Sequence, residues 1–485
     1  MLSRWGRVVV VVVALVATAC GTTVPAAEQR AARSQGDGLS ARRLDAGADA
    51  AGDGNGGLLD GTTGALGASS GSANASSGSA SRTAGVKATT PDRTPVKVGA
   101  FYLNGGNELL SAGFAATPVN FGDGQLEAKA VVADINAHGG VGGRPIELHL
   151  QKFEATDSGN PEAFEAACVA LADDHKVFVI MSIFNIRSPL ASCAAKRKTL
   201  LMAAALGAGD DLIYRDYGDW TFTPAAMSLD AEQKLVLNNA FATKVITKST
   251  RVGVIIQNDD EIFGRVFKNT IEPTLKALGV PYESFTISNA NDATGINNAI
   301  LKFATNNVGV VQFSAGNGGV PEVVFMQSAE QQKFRPKYVM GDSTDTWFVG
   351  NSAPRNQASR ISGVGSYPIA NVNSDQVPST AGEKHCLEVI SAAGERLTDR
   401  HGSLTATFYC ELLYGFAAAG SKVTGKMTHD GWRAAYRSFG ATYPTMISLA
   451  ADVSRSPNAP AVGYRTLGWN DGCGCVAYTS SLRRL

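Results

Sequence analysis

The chain has 485 residues with 43 basic and 43 acidic side chains, so its formal net charge is +0. This balance argues against a nucleic-acid-binding protein, because phosphate contacts need a surplus or a patch of Lys and Arg, and the longest basic run is Lys196-Arg197-Lys198. The length predicts two or three compact units.

The N-terminus has the pattern of a secretory signal, with Arg4 and Arg7 before a predominantly apolar run from Val8 to Ala19. This run is shorter than the roughly 20 residues that a membrane-spanning helix needs. Cys20 follows it in a sequence that resembles the bacterial lipobox, although lipoboxes usually have Leu where Ala17 stands. We therefore predict a signal peptide over 1–19 and a lipidated Cys20; the alternative is an ordinary signal peptide with an incidental cysteine.

Residues 20–94 differ in composition from everything that follows them. They are rich in Gly, Ala, Ser and Thr and contain almost no aromatic or large aliphatic side chains. Such a segment buries too little apolar surface to offset the entropy lost on ordering. We expect a flexible, disordered linker, which places a lipid anchor and a folded part at opposite ends of a tether.

From residue 96 the pattern changes to alternating strands and helices. In the first predicted helix, Ala128, Val131, Val132 and Ile135 form one apolar stripe, and Gly139-Gly140 follows its end. The first series of apolar strands is predicted over 96–103, 145–153, 177–184 and 199–206.

A second series begins after Thr223-Pro224. Its strands are predicted over 251–258, 283–288, 308–315 and 337–343, and its helices over 228–246, 262–278, 294–306 and 320–332. Two more helices, near 381–396 and 403–419, follow in the last third of the chain.

Strands that are apolar on both faces and alternate with helices indicate parallel sheets covered on both sides. Two such series predict an α/β protein with two doubly wound parallel-sheet lobes. We expect lobe 1 to comprise 95–224 and about 345–445, and lobe 2 to comprise 225–344 and about 446–485.

Six cysteines remain beside Cys20, and an even number outside the cytoplasm indicates disulfides. The sequence allows 15 pairings. Cys168 and Cys193 lie on consecutive predicted helices, over 160–175 and from about Ser188. Cys386 and Cys410 likewise lie on the predicted helices near 381–396 and 403–419. We therefore expect these two pairs and, by remainder, Cys473 with Cys475. A metal site is not indicated, because there is no CxxC pair and the six histidines are scattered.

In parallel sheets, ligands bind beyond the carboxyl ends of the strands. The residues that follow the predicted strands are therefore the candidates for a ligand site in a cleft between the lobes. They are Tyr102, Phe184, Asn185, Arg187, Leu206, Gly207 and Ala208 in lobe 1, and Asp260, Phe263, Asn317, Asp342 and Ser343 in lobe 2.

Several of these candidates also have purely structural interpretations. Asn185 and Ser188 could cap a helix, Arg187 could be an exposed charge, and Tyr102 could be a core residue. The segment 259–261, with its three acidic side chains, could be a solvated turn. Excess acid in lobe 2 would suit a ligand with an amine or another positive group.

Enzyme signatures are weak. Gly316 and Gly318 follow a strand, but a GxGxxG fingerprint would need glycine where Pro321 stands. The sequence has no P-loop, GxSxG or HExxH motif. We expect no enzymatic activity, no cofactor and no metal.

The stretch 119–171 resembles the branched-chain amino acid binding proteins of ABC transporters. Asp134-Ile135-Asn136, Gly139-Gly140-Val141 and Gly143-Arg144 match a family pattern, followed by an acidic residue and a proline at Asp157 and Pro161. "VFVIMSIFN" and "DDEIFGRVF" also occur in order, and the resemblance covers about residues 95–485. It implies the type I periplasmic-binding fold, with two lobes, a three-crossover hinge and closure around a small molecule.

The resemblance also implies an amino-acid clamp, from which this sequence departs. Asn185 stands where the family has a serine, and Leu206 and Ala208 where it uses a backbone group and a threonine. Phe263 keeps an aromatic ring without its hydroxyl. A second aromatic falls near Asn317, and the glutamate that holds the α-ammonium falls near Ser343, one place from Asp342. Changed polar groups indicate a changed ligand.

These features predict a monomeric, lipid-anchored solute-binding protein on the outer face of the bacterial cell membrane. It would capture an amino acid or a related amine or amide by hinge closure and deliver it to an ABC permease with its ATPase. The alternative is a surface sensor of the same fold that acts on a signalling receptor. An extracytoplasmic enzyme is a third hypothesis, without a catalytic constellation to support it.

Overall fold

The computed structural model describes residues 93–107, 121–157, 160–204, 208–316, 318–373, 376–397 and 400–485. The predicted signal peptide, Cys20 and nearly all of the predicted linker lie outside these residues. Within them, no helix combines the length and the apolar character needed to cross a membrane.

Lobe 1 is built on a five-stranded parallel sheet with the strand order β2-β1-β3-β4-β5. Its strands are β1 (Val96–Asn104), β2 (Ile146–Glu154), β3 (Val179–Ser182), β4 (Leu200–Ala203) and β5 (Thr221–Phe222). Its connecting helices are α1 (Gly124–Ala137), α2 (Pro161–Val169), α3 (Ser188–Lys196) and α4 (Asp211–Tyr217). The residues of β3 and β4 are buried throughout, as expected for strands with helices on both faces.

Lobe 2 is built on an eight-stranded sheet. The order β7-β6-β8-β9-β10 is parallel, β11 pairs antiparallel with β10, and β12 and β13 each pair antiparallel with β11. The strands are β6 (Val252–Gln257), β7 (Tyr282–Ile287), β8 (Val310–Ser314), β9 (Lys337–Met340), β10 (Ile361–Gly365), β11 (Gly463–Asn470), β12 (Cys475–Tyr478) and β13 (Arg483–Arg484).

The helices of lobe 2 precede or connect the parallel strands. They are α5 (Leu229–Ala242), α6 (Glu261–Val266), α7 (Glu272–Leu278), α8 (Ala293–Thr305), α9 (Val320–Gln331), α10 (Thr346–Ser352) and α11 (Arg355–Ala358). A wider helical turn over Phe267–Ile271 joins α6 to α7. The short α12 (Pro368–Asn371) follows β10.

Three later helices return to lobe 1: α13 (Ala381–Ala392), α14 (Leu404–Ser421) and α15 (His429–Arg437). Helices α13 and α14 pack on α1. From α15, the rings of Trp432 and Tyr436 each lie 5.5 Å from the ring of Phe222 in β5. The last third of the chain therefore completes one face of lobe 1 before the chain enters lobe 2 again.

The chain crosses between the lobes three times, after β5, after β10 and before β11, and these crossovers are hydrogen-bonded to one another. The Thr223 N–H donates to the Asn458 carbonyl at 2.7 Å, and the Ala461 N–H to the Ala226 carbonyl at 3.1 Å. The Leu449 N–H donates to the Ser366 carbonyl at 2.8 Å. Three connected segments thus form the hinge between two α/β lobes.

The first boundary expected from the sequence, with lobe 1 resuming at about 345, is wrong. β10 pairs with β9 and β11 in the lobe 2 sheet, so lobe 2 continues to Gly365. The strand was missed because it is short and two of its five residues are Gly, which gives a weak strand pattern. The antiparallel strands β11–β13 were not expected either, because alternation with helices indicates only parallel strands.

Two disulfides tie pairs of consecutive helices in lobe 1. Cys168 on α2 is bonded to Cys193 on α3, and Cys386 on α13 to Cys410 on α14. A third disulfide joins Cys473 to Cys475 in the hairpin between β11 and β12. The first two close loops of 25 and 24 residues, whereas the third closes a loop of 2.

Loop length predicts unequal contributions to stability. In the chain-entropy account, closing a loop of about 25 residues stabilises by about 3 kcal/mol, and closing the hairpin loop by about 1 kcal/mol. We expect Cys386→Ala/Cys410→Ala to lower the free energy of unfolding in urea by about 3 kcal/mol, and the matched control Cys473→Ala/Cys475→Ala by about 1 kcal/mol. Equal losses in the two variants would contradict this prediction.

Candidate functional site

The carboxyl ends of the parallel strands of the two lobes face each other, and side chains from both ends are in contact. The segment after β3 carries Asn185 and Arg187, and the segments after β6 and β8 carry Phe263 and Gly316. A Cβ at Gly316 would lie 2.6 Å from the Phe263 ring and 3.1 Å from the Asn185 Nδ2. A side chain at this position would collide with the Phe263 ring of the same lobe and crowd Asn185 of the other lobe, so the glycine allows close packing here.

Arg187 occupies the centre of this contact. It precedes α3 with extended backbone, and its side chain is only 6% exposed. Its Nη1 lies 3.6 Å from the Asp259 Oδ1 and 3.6 Å from the Asp260 Oδ2, while the guanidinium carbon lies 5.6 Å from the centre of the Phe263 ring. The interpretation of Arg187 as an exposed charge is therefore wrong.

Asp259 and Asp260 are buried as well, with side chains 8% and 3% exposed, so the interpretation of 259–261 as a solvated turn is wrong for these two residues. It agrees with Glu261, whose side chain is 69% exposed. The Asp260 Oδ1 caps α6 by accepting the Ile262 N–H at 2.9 Å. The Asp259 Oδ1 accepts a hydrogen bond of 2.7 Å from the Gln257 side chain. Burial raises the pKa of Asp260, against the lowering effects of the Ile262 N–H and of Arg187.

A second ion pair joins the lobes, with its arginine in lobe 2 and its aspartate in lobe 1. Arg265 of α6 donates to both carboxylate oxygens of Asp210, at 2.7 and 3.1 Å, and to the Ser188 Oγ at 3.2 Å. Asp210 in turn caps α4 by accepting the Ile213 N–H at 3.1 Å. Lobe 1 thus supplies one arginine and one aspartate, each matched by opposite charge from lobe 2.

An apolar layer accompanies these ion pairs. Ile186 and Ile213 of lobe 1 belong to the same buried cluster as Ile262, Phe263 and Val266 of lobe 2. The two lobes are therefore held together in the described structure by both hydrophobic packing and paired charges. This is a closed arrangement of the cleft.

Sequence reasoning missed Arg265 and Asp210. Asp210 lies a few residues after β4, so the rule that placed candidates after strands could have found it. Arg265 is one helical turn inside α6, and its role depends on the contact between lobes, for which the sequence carries no direct signal.

Asp342 and Ser343, at the end of β9, are engaged with the hinge. The Asp342 carboxylate accepts the N–H groups of Ser366 and Tyr367 at 2.8 and 3.1 Å and the Asn371 side-chain amide at 2.6 Å. It also accepts the Ser366 hydroxyl. These bonds attach the end of β9 to the crossover that follows β10.

Glu232 of α5 supports Ser343, whose N–H and Oγ both donate to its Oε1, at 3.1 and 2.6 Å. Glu232 is fully buried, and this burial, reinforced by the negative charge of Asp342, raises its pKa well above the usual range. Burial also raises the pKa of Asp342. The two neighbouring acids favour a protonated Glu232 at the hinge.

The remaining sequence candidates that the structure describes all lie in lobe 1. The ring of Phe184 lies 4.8 Å from Phe153 and 5.8 Å from Phe164, in an aromatic cluster of lobe 1. Tyr102 is half-buried at the end of β1 beside Gly124, and Ala208 is buried in the lobe 1 core. The other three candidates lie outside the described residues: Leu206, Gly207 and Asn317.

No group of three or more His, Cys, Asp or Glu suited to holding a metal ion occurs among the residues that the structure describes. At the contact between lobes, the described residues supply two guanidinium groups, three buried carboxylates, an amide and an aromatic ring. Such groups recognise a small polar molecule by charge and hydrogen bonding.

Comparison with known proteins identifies a family. The sequence profile of the family described as "Periplasmic binding protein" matches residues 118–449, which is more than half of the chain. A comparison with curated proteins gives no match.

Solved structures show the same fold at low sequence identity. LivJ, the branched-chain amino acid transporter substrate-binding protein of Streptococcus pneumoniae in complex with isoleucine, is 15% identical; 81% of this chain aligns with 99% of that one, with a TM-score of 0.56. The leucine-binding protein LivK of Thermotoga maritima is 13% identical; 80% of this chain aligns with 99% of that one, with a TM-score of 0.57. An extracellular ligand-binding receptor of Verminephrobacter eiseniae is 14% identical; 79% of this chain aligns with 100% of that one, with a TM-score of 0.57. These identities support the likeness of fold alone.

The buried acids predict a stability that falls as the pH rises. An acid with a raised pKa in the folded state stays protonated while its unfolded counterpart ionises, so stability is lost from about pH 4.5 up to the folded pKa. Besides Glu232, burial raises the pKa of Glu322 to about 8 and of Glu411 to about 7. All three groups therefore act in the same direction.

We expect Glu232→Gln, which keeps the acceptor for Ser343 without the ionisation, to reduce the loss of unfolding free energy between pH 5 and pH 8 by about 1–3 kcal/mol. The measurement is urea unfolding at a series of pH values. Glu162→Gln, at an exposed position of α2, is the control and should keep the wild-type slope. An unchanged slope in the Glu232 variant would count against a protonated hinge acid.

Proposed function

The chain belongs to the periplasmic binding protein family, and we propose that it is an extracytoplasmic solute-binding protein of an ABC transporter. In this proposal it captures a small polar ligand between its lobes and delivers it to a permease. Its role is binding rather than catalysis. Ligand binding would act through the equilibrium between open and closed lobes, since a ligand that prefers the closed state increases its population.

The observation that carries this proposal is the set of buried polar groups between the lobes. Asn185 and Arg187 of lobe 1 meet Asp259, Asp260 and Phe263 of lobe 2 at the facing carboxyl ends of the strands. This edge is the usual ligand position in parallel sheets. A hinge of three crossovers allows the two sets of groups to separate and meet again, as ligand entry and retention require.

The proposed ligand is an amino acid or a related amine or amide. The isoleucine bound by the pneumococcal protein makes amino acids the first class to test. Asn185, Phe263 and Ser343 nevertheless differ from the residues that the family clamp implies, and Ser343 is hydrogen-bonded to Glu232. Because a site built from hydrogen-bonding groups rejects ligands that leave those groups unpaired, these differences favour a ligand other than an aliphatic amino acid.

The cellular setting of the proposal follows from the N-terminal sequence. Periplasmic binding proteins act outside the cytoplasmic membrane, and the signal pattern before Cys20 agrees with that location. An acylated Cys20 would hold the protein on the outer face of the membrane, since each buried methylene of a lipid chain contributes about 0.8 kcal/mol. The permease and its ATPase would be the protein partners.

Thermal unfolding of the chain from residue 21 with a panel of amino acids, amides, polyamines, sugars and short-chain acids tests the binding function. A ligand at 100 times its dissociation constant stabilises by about 2.7 kcal/mol, which raises the midpoint by a few degrees for lobes of this size. We expect one chemical class to produce this shift and Arg187→Ala to lose it. Arg215→Ala, which removes an arginine with a 71% exposed side chain, should retain it. No shift with any class would contradict the proposal.

Cys20→Ser tests the lipid anchor in the natural host or a related bacterium. We expect the wild-type chain in the membrane fraction, labelled by a palmitate analogue, and the variant unlabelled and outside that fraction. Thr22→Ser, two positions away, should behave as wild type. Membrane association of the Cys20 variant at the wild-type level would exclude anchoring through this residue.

A further inference from the structure

The charges buried between the lobes do not balance. Among the described residues at this contact, three carboxylates are buried, those of Asp210, Asp259 and Asp260, and they face two guanidinium groups. Arg265 makes two hydrogen bonds to Asp210 and one ion pair to the exposed Glu261. Arg187 is therefore the one cation among the described residues that forms ion pairs with Asp259 and Asp260. Arg265 also lowers the pKa of Asp260 through its charge, but it is paired with Asp210 and Glu261. Three buried carboxylates against two guanidinium groups leave one negative charge in excess.

Within the described part of the chain, one carboxylate oxygen of Asp259 and one of Asp260 also lack hydrogen-bond donors. The Oδ2 atoms of Asp259 and Asp260 are buried and accept no hydrogen bond from any residue that the structure describes. The 3.6 Å from the Arg187 Nη1 to the Asp260 Oδ2 is an ion-pair separation and exceeds hydrogen-bond length. Buried carboxylate oxygens are normally satisfied by donors, so two unpaired oxygens on neighbouring aspartates need an explanation.

Asp342, another acid at this edge of lobe 2, has hydrogen-bond donors for both of its carboxylate oxygens. Both oxygens of Asp342 accept hydrogen bonds, from Ser366, Tyr367 and Asn371. A ligand would have to break these bonds to use Asp342. Asp259 and Asp260, by contrast, each keep one oxygen available while the other is held by Gln257 or by the start of α6.

We propose that Asp259 and Asp260 form a subsite for a positively charged group of the ligand, specifically a primary or secondary ammonium or a guanidinium. Such a group supplies both the missing charge and N–H donors to the two unpaired oxygens. A quaternary ammonium supplies the charge without donors, so it should bind less well. This inference rests on the proposed function and narrows its ligand to compounds that carry an ammonium or guanidinium group.

The first test needs no ligand. Asp259→Asn and Asp260→Asn keep the oxygens that accept from Gln257 and from the Ile262 N–H, and remove an uncompensated buried charge. We expect each variant to unfold at a midpoint at least one degree above the wild type. Asp210→Asn removes a fully paired carboxylate from the same contact, and we expect it to lower the midpoint. If the variants of Asp259 and Asp260 are destabilised as much as that of Asp210, the subsite is overturned.

The second test measures binding by calorimetry to the chain from residue 21. The probes are putrescine, agmatine, L-lysine and L-ornithine, with choline as the quaternary cation, L-leucine and L-glutamine as amino acids with uncharged side chains, and 1,4-butanediol and glutarate as uncharged and anionic counterparts. We expect at least one of the first four to bind, and its affinity to fall at least tenfold in Asp259→Asn and Asp260→Asn. Glu261→Gln, at the neighbouring 69% exposed side chain, should change it less than twofold.

The outcomes separate the two proposals. Binding of 1,4-butanediol or glutarate, or of any compound whose affinity is unchanged in both aspartate variants, overturns the cation subsite and leaves the solute-binding function in place. Binding of L-leucine or L-glutamine that weakens at least tenfold in both variants supports the subsite, with the α-ammonium as its occupant. Absence of binding by every compound in this and the broader thermal panel overturns both.

Discussion

The reciprocal pairing of arginine and aspartate between the lobes is the interaction on which the closed structure depends. Arg187 of lobe 1 meets Asp259 and Asp260 of lobe 2, and Arg265 of lobe 2 meets Asp210 of lobe 1. Charges withdrawn from water are tolerated only when opposite charge and hydrogen bonds compensate them, and removing one partner of such a pair typically costs about 3–5 kcal/mol. In the proposed open state these five groups would gain contact with water, so the balance between burial with a partner and hydration would set the equilibrium between open and closed lobes.

Asp342 and Glu232, the buried acids near the hinge, form a second group of electrostatic interactions. Asp342 binds the crossover after β10, and Ser343 binds Glu232 of α5, so the end of β9 is connected to two of the segments around the hinge. These bonds lie beside the crossovers between the lobes, whereas the arginine pairs lie where the lobes meet. Both matter for the proposed function, because a loosely held crossover would not bring the groups at the contact between lobes back to the same geometry.

The sequence predicted most of the segments that meet between the lobes or at the hinge, for a simple physical reason. Parallel strands place their carboxyl ends at one edge, and therefore the residues after β3, β6 and β9 could be identified without coordinates. The roles of these residues were harder to predict. Phe184 packs into lobe 1 and Asp342 binds the hinge. Asp210 and Arg265, which were not among the predicted site residues, join the two lobes. Position along a strand is a local property, but the direction and partner of a side chain depend on the opposite lobe.

The sequence by itself determined the α/β class, the two lobes, the signal pattern and the family resemblance, because hydrophobic periodicity and short motifs are local features of the chain. Only the tertiary structure decided that β10 belongs to lobe 2 and that Arg187, Asp259 and Asp260 are buried together. A five-residue strand with two glycines has too little pattern of its own, and it is recognised by the strands that pair with it. Likewise, burial of a charge depends on residues distant in sequence that surround it in the fold.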